Sequence, residues 1–415
     1  MITDLGFYSV RGKSFSTNKV MAVLEAQKTN AEVEWNYFDD VFNKADWLTE
    51  PEISLEELYR IRAQQIRDAY DYVVIYVSGG ADSSNVVRTF INNNIHIDEV
   101  ITEIPESGIK NFDWNDKDFT ASNLMSEAKY AQYPILHEIS INSPSTRITV
   151  HDFFTGVVNV ESDEWIYQNE GDIISMSNYQ YGRMDPFPHL KDLAEQGKKI
   201  ASVWGTDKPV LAVWGDGYIY TLIADSAVYV PKYPFKTVYP NVNRVLFYWS
   251  PELPELMIKQ SHIVAREILK PENKFILRAA IDQGKRSKEV SLLGVDDTLK
   301  NIFNSAADTN VSYSPKTIYQ RSIVPFIYPN TFREDVFQVL KFEQSQTFCP
   351  AINNWMKSLH GNSRIGEMII SDFSLFYKNI LPKYLNPNKT GFNMCLKRFR
   401  IGSIKSFLPK SNNNL

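Results

Sequence analysis

Cysteine is scarce. Only Cys349 and Cys395 occur in 415 residues, too few for a disulfide framework or a four-cysteine zinc site. The six histidines, His96, His137, His151, His189, His262 and His360, show no His-x-x-x-His or other paired spacing. Each therefore reads as a core or surface histidine, with His262 at the edge of an apolar helix face. No apolar run approaches the length of a membrane span. The start, Met1-Ile2-Thr3-Asp4-Leu5, has no basic stretch followed by an apolar one, so no secretory leader is expected. There is no internal repeat and no long low-complexity segment. Positive charge is not in excess either: the formal net charge is −5. That argues against a nucleic-acid coat over the whole surface and leaves room for a local basic face. With 43% hydrophobic and 13% aromatic residues, the chain can bury one large core or two. A cytoplasmic protein is expected.

The most informative segment is Ser78-Gly79-Gly80-Ala81-Asp82-Ser83-Ser84. It follows an apolar run at 73–77 and opens a helical pattern at 84–94. Strand, glycine turn and helix start present backbone N–H groups to an anion, and the helix dipole adds positive charge. Two adjacent glycines predict φ > 0 and close approach of the backbone to a phosphate. Ser78, Ser83 and Ser84 supply hydroxyl donors. Asp82 repels a bare polyphosphate, but fits if it holds Mg²⁺ bridging to the phosphates. The bland alternative is a glycine turn with Asp82 as an ordinary helix-start acid.

Around this segment the pattern predicts an α/β fold. Helices are expected over 18–27 and 52–70, then four short strands at 73–77, 99–104, 135–139 and 200–204. Helical stretches at 84–94, 119–131 and 188–197 separate them, the last ending at Gly197. This alternation argues for a doubly wound, mostly parallel sheet. Two β-type runs, 209–213 and 218–224, flank Trp214-Gly215-Asp216-Gly217 and read as a hairpin at the sheet margin. From residue 251 the chain reads as mainly helical, with helices predicted over 254–269, 274–282, 298–305, 332–342 and 365–380. The division is an N-terminal extension, 1–70, an α/β domain, 71–250, and a mainly helical C-terminal region, 251–415, with a basic tail.

Ser78-Gly79-Gly80-Ala81-Asp82-Ser83 matches the SGGxDS signature of the PP-loop, or N-type ATP pyrophosphatase, family, and residues 70–225 resemble its nucleotide-binding domain. The resemblance implies a HUP-like sheet that binds ATP and Mg²⁺ at Ser78, Gly79, Gly80, Asp82, Ser83 and Ser84, with Asp82 as the metal ligand. It implies cleavage between the α and β phosphates. A carbonyl or carboxylate is adenylated, and a nitrogen or sulfur nucleophile then displaces AMP. In such proteins a later strand lies beside the one carrying SGGxDS. If 200–204 is that strand, the loop Gly205-Thr206-Asp207-Lys208-Pro209 faces the nucleotide. Lys208 would then neutralise charge developing on the phosphates, and Asp207 would hold Mg²⁺ or orient a nucleophile. A plain turn is the alternative. Glu106, in the loop after the second strand, occupies the position of the family's adenine and ribose contacts; a solvent-facing acid is the alternative. Arg183 is a weaker candidate for a phosphate or carboxylate.

Absences narrow the branch. Ile2 stands where glutamine-dependent asparagine synthetases carry their catalytic cysteine. There is no Cys-x-x-Cys pair, no C-terminal Cys-Gly motif and no four-cysteine zinc set. An adenylating enzyme using a free amine or a partner-delivered nucleophile remains. Its acceptor is a small molecule or a nucleic-acid base. Sulfur transfer through Cys395, and a non-catalytic nucleotide-binding protein in a larger assembly, are the other readings. Lys397, Arg398, Arg400, Lys405 and Lys410 form a basic cluster that reads as a solvated tail or as a contact for nucleic acid or protein. A homo-oligomer is compatible with this architecture. The asparagine- and tyrosine-rich style resembles PP-loop proteins of large tailed phages, which would place the chain in a host cytoplasm.

Overall fold

The structure, a computed structural model, describes residues 6–15, 19–104, 131–152, 187–205, 209–213, 217–225, 239–270, 327 and 396–408. The first layer begins with β1 (Phe7–Val10) and β2 (Lys13–Ser14). They are joined by Arg11 and Gly12 at φ 49° and 80°, the positive pair that a two-residue hairpin requires. Then come α1 (Lys19–Thr29), β3 (Glu34–Asn36), α2 (Asp39–Phe42) and α3 (Leu55–Ala69). β1 lies between β2 and β3, antiparallel to both. α3 starts where Ser54 Oγ accepts from Glu57 N at 3.2 Å, with Glu56 and Glu57 in its first turn, where the helix dipole favours acids.

The central sheet follows. Its elements are β4 (Tyr72–Tyr76), α4 (Ala81–Asn92), β5 (Glu99–Ile104), α5 (Tyr133–Asn142), β6 (Arg147–Asp152), α6 (Pro188–Glu195) and β7 (Ile200–Trp204). After the hairpin β8 (Val210–Val213) and β9 (Tyr218–Ala224), β10 (Val242–Leu246) returns to it. The order is β10-β7-β4-β5-β6, and every pair is parallel. Val73, Ile75 and Val77 pack with Val86, Phe90 and Ile139 on one face. Val74, Tyr76 and Ile101 pack with Leu190 and Ala194 on the other. Helices thus cover both faces, as a doubly wound sheet requires.

Two expectations fail here. Residues 135–139 form part of helix α5, not a strand. Ile135, Leu136 and Ile139 are buried while His137 and Ser140 are exposed, which is a helical face. Pro134 lies in the first turn, where its missing N–H costs nothing. A short apolar run does not distinguish strand from helix by itself. The third strand of the sheet is β6, whose Arg-Ile-Thr-Val-His-Asp sequence alternates as an edge strand does. The hairpin, in turn, is not at the margin of the main sheet. It pairs with β11 (Leu396–Ser403) in a separate antiparallel sheet, order β11-β9-β8.

Within 251–415 the described elements are α7 (Pro254–Ile268), β11 and the short α8 (Ile404–Phe407). The helices predicted at 274–282, 298–305, 332–342 and 365–380, and nearly all of 119–131, lie outside the described residues. The basic cluster is strand and helix, not tail, as far as residue 408. Lys397 Nζ meets Asp39 Oδ2 at 2.6 Å, Arg400 lies over the Tyr218 ring at 4.2 Å, and Lys410 is outside. β11 is bound to the first layer by rings: Trp47 and Phe399 stack at 4.3 Å and 8°, and Phe42 lies 6.0 Å from both Phe399 and Trp249. Such pairs contribute about 0.5–1.5 kcal/mol each beyond the area they bury. Among the described residues no helix is long and apolar enough to cross a membrane.

Ahead of α3, Glu50 ties the chain to α7. Its carboxylate meets Lys259 Nζ at 2.8 Å and the Arg266 guanidinium. Burial raises the affinity of Glu50 for a proton, but the hydrogen bonds and charges of Arg266 and Lys259 outweigh it and hold the carboxyl below its ordinary value. A lowered folded pKa gives stability that is present above the unfolded value and is lost as pH falls through the folded one. Glu50→Gln is therefore expected to lower the urea midpoint at pH 7. The difference should shrink once pH drops below about 4.3, the unperturbed glutamate value. A constant difference down to pH 3 would contradict this.

Candidate functional site

The sheet grows from β4 through β5 to β6 in one direction, then from β7 to β10 in the other. Its strand order therefore reverses between β4 and β7, and ligands of open α/β sheets bind beyond the carboxyl ends of the strands at that point. β4 and β7 pair directly, Tyr72 opposite Ile200 and Tyr76 opposite Trp204. The 78–84 segment leaves the end of β4 there, and Gly205 leaves the end of β7. A Cβ on Gly205 would stand 3.0 Å from Asp82 O and Ser83 Cα. Gly205, the first residue of the loop after 200–204, thus lies against the SGGADSS helix start. Asp207 and Lys208 lie outside the described residues, as do Glu106 and Arg183.

The loop differs from expectation in one respect. Only Gly79 has a positive φ, 74°; Gly80 caps α4 at φ −68°. A Cβ on Gly79 would come within 2.5 Å of Gln132 N and 2.7 Å of Ala131 O. Gly79 is thus required both by conformation and by the close passage of the chain entering α5. That chain is fixed in turn: Gln132 Nε2 donates to Thr102 Oγ1 and Glu103 O at 2.9 Å, and Thr102 Oγ1 donates to Val77 O at 2.7 Å. Arg88 on α4 and Glu138 on α5 form a part-buried pair at 2.7 Å.

The three serines shape the loop from within. Ser83 Oγ accepts from Ser78 N at 3.2 Å and donates to Gly80 O at 3.3 Å; Ser84 Oγ donates to Gly79 O at 3.2 Å. Backbone amides at the start of α4 are then the principal donors available to an anion. The half-buried Asp82 lies in the first turn of α4. Among the described residues no three His, Cys, Asp or Glu side chains gather to hold a metal. A cation here would rest on Asp82 together with oxygens of the ligand and water, the mode Mg²⁺ uses with nucleotide phosphates. The glycine at 79 and the carboxylate of Asp82 fit a Mg-phosphate group.

Sequence reasoning missed the support behind this loop. Tyr248 OH donates to Asp82 O at 2.8 Å and accepts from Asn85 Nδ2 at 3.1 Å. Tyr59 OH donates to Ile327 O at 2.8 Å and accepts from Gln260 Nε2 at 2.7 Å. Burial, with the Asp82 charge contributing, holds the Tyr59 phenol well above its ordinary pKa, so it stays a neutral donor. On the opposite face, Tyr76 and Trp204 stack at 4.1 Å and 10°, and Trp204 Nε1 donates to Ser202 Oγ at 2.9 Å. The apolar triplet Phe247-Tyr248-Trp249 was the available signal, but nothing local in it points to residue 82. In comparisons with known proteins, the chain matches no family model and no curated protein.

Proposed function

We propose that the protein binds Mg-ATP at 78–84 and cleaves it to AMP and pyrophosphate. A carbonyl or carboxylate acceptor is adenylated and then attacked by a nitrogen nucleophile. The observation that carries this reading is the SGGADSS loop standing between β4 and α4 at the reversal point of the parallel sheet. The first amides of α4 grip the β and γ phosphates as a unit, which makes pyrophosphate the leaving group. Asp82 would hold Mg²⁺, which would neutralise phosphate charge. Lys208 stabilises charge developing on the α-phosphate or the departing pyrophosphate, Asp207 would hold Mg²⁺ or orient the nucleophile, and Glu106 meets the ribose. A P-loop kinase or ATPase grips through Gly-x-x-x-x-Gly-Lys-Ser/Thr, a pattern this chain lacks.

The test is the bond that breaks. With α-labelled ATP, Mg²⁺ and the dialysable fraction of a cell extract supplying acceptors, chromatography is expected to show AMP and pyrophosphate. Asp82→Ala should remove Mg-dependent ATP affinity in a titration calorimeter while the circular dichroism stays native. Accumulation of ADP, or unchanged affinity in Asp82→Ala, would overturn the assignment. Tight ATP binding without turnover in any extract would favour the non-catalytic reading.

A further inference from the structure

Two residues at the carboxyl edge of the sheet have no role in the reading above. Glu103 on β5 and His151 on β6 stand directly opposite each other. Their side chains share the sheet face of Tyr76 and Ile101, since Ile101 is opposite Tyr76 and Glu103 follows two residues later. His151 is 9% exposed. Its Nδ1 lies 3.4 Å from Glu103 Oε1, and among the described residues no hydrogen bond closes on that nitrogen. Phe187 packs edge-on to the imidazole at 5.3 Å. Glu103 is also fixed by its backbone, whose carbonyl accepts from Gln132. In the register of β4, Glu103 is level with Ser78. At a strand spacing of ~4.8 Å, the carboxylate stands about one strand, and the imidazole about two, from the SGGADSS loop.

With its proton on Nδ1, toward the Glu103 carboxylate 3.4 Å away, the imidazole would have Nε2 as its basic nitrogen. Ring packing holds the orientation, and the approach of carboxylate to imidazole is often loose before substrate binds. We propose that Glu103 and His151 form the base of the acceptor half of the site, on the side of β4 away from β7. This rests on the AMP-forming reading and narrows it: the nucleophile is an amine or ammonia that must lose a proton. As the amine nitrogen bonds to the carbonyl carbon of the adenylated acceptor, the bond from that carbon to the phosphate oxygen breaks. AMP leaves with the electron pair. The amine proton passes to His151 Nε2, the imidazolium is stabilised by Glu103, and the proton then goes to water.

A second Glu–His pair provides an internal control. Glu99 is fully buried and meets His189 Nε2 at 2.8 Å, Tyr72 OH at 3.2 Å and the Thr149 hydroxyl. It sits at the amino ends of the strands, away from the ligand edge, where it fastens α6 to the sheet.

The experiment uses the full chain as wild type, His151→Asn, His151→Gly, Glu103→Gln and His189→Asn. The extract fraction supplies acceptors and ammonium chloride is the nucleophile. Two rates are measured: AMP formation, and exchange of labelled pyrophosphate into ATP, which reports adenylation alone. His151→Asn is expected to slow AMP formation by roughly 10²–10⁴-fold while exchange is retained. Glu103→Gln should act in the same direction and His189→Asn should leave both rates near wild type. Exogenous imidazole should restore part of the activity of His151→Gly. Full AMP formation by His151→Asn, or loss of exchange and AMP formation together, would overturn the proposal. If the wild type forms no AMP, the ATP reading fails first and this inference with it. Should His151→Asn not fold, Glu103→Gln and the ¹⁵N spectrum of the wild-type imidazole decide: a proton on Nδ1 is expected, and one on Nε2 would overturn the proposal.

Discussion

Replacing Gly79 with alanine is expected to destabilise the protein by roughly 2–5 kcal/mol and to remove ATP binding. Two costs add. A non-glycine residue at φ 74° is disfavoured by roughly 1–2 kcal/mol. A methyl within 2.5 Å of Gln132 N must displace the backbone entering α5, and overpacking of this kind costs about 1–3 kcal/mol. The neighbouring glycines make the test specific. Gly80 has φ −68°, and its new Cβ would meet only Ser78 Oγ at 3.4 Å. Gly80→Ala should therefore change stability by no more than about 0.5 kcal/mol. Gly205→Ala should fall between the two, because Asp82 O and Ser83 Cα lie at 3.0 Å without a positive φ. Urea unfolding of the three variants gives the order. Equal effects at 79 and 80 would mean that the loop is held differently from the geometry described above.

This contrast also shows how far the sequence could be read. Both glycines were legible as a loop beside a strand and a helix, because that signal is local. Which of them needs φ > 0 was not, because the answer depends on where Ala131 and Gln132 pass, some fifty residues later. Strands β4, β5 and β7 were legible as apolar runs, being buried on both faces of a parallel sheet. β6 was not: on the face toward α6 it carries Arg147, Thr149 and His151, whose partners Glu99 and Glu103 are on β5. β11 was hidden by its charge. Phe399 and Ile401 are buried while Arg398 and Arg400 are exposed, an alternation that reads as a basic tail until Trp47 and β9 are placed beside it. Long-range partners lie beyond any pattern within one window: Tyr248 and Asp82 are 166 residues apart.

The same distance matters for what keeps the site assembled. β10 runs into Leu246-Phe247-Tyr248-Trp249, a segment bound on every side. Phe247 N donates to Trp204 O at 3.0 Å, Tyr37 OH donates to Trp249 O at 2.9 Å, and Tyr248 reaches Asp82 as described. Phe247 and Tyr248 are completely buried. The segment is therefore a strut between the first layer and the helix start of α4. A shift of Tyr248 would reach the Asp82 backbone directly.

Arg62 clamps this strut from α3. It projects from α3, with a side chain only 6% exposed. It donates from Nη2 to Leu246 O at 3.2 Å and from Nε to Phe247 O at 3.3 Å. Burial pulls its pKa below the usual guanidinium value, and the Glu252 carboxylate counters this; a guanidinium remains charged in either case. Glu252 is 3.5 Å away but has a side chain 64% exposed, so water screens that pair and its worth is about 0–1 kcal/mol. The two carbonyls belong to buried residues, and each left without its donor costs about 1–3 kcal/mol. Arg62→Ala is accordingly expected to destabilise by roughly 2–5 kcal/mol, and Glu252→Gln by about 1 kcal/mol or less. Arg62→Ala should also weaken ATP binding at temperatures where it remains folded, because Tyr248 loses its anchorage. Denaturant titrations and calorimetry on the two variants check both effects. If Glu252→Gln matches Arg62→Ala in stability, the ion pair and not the carbonyl clamp holds the strut.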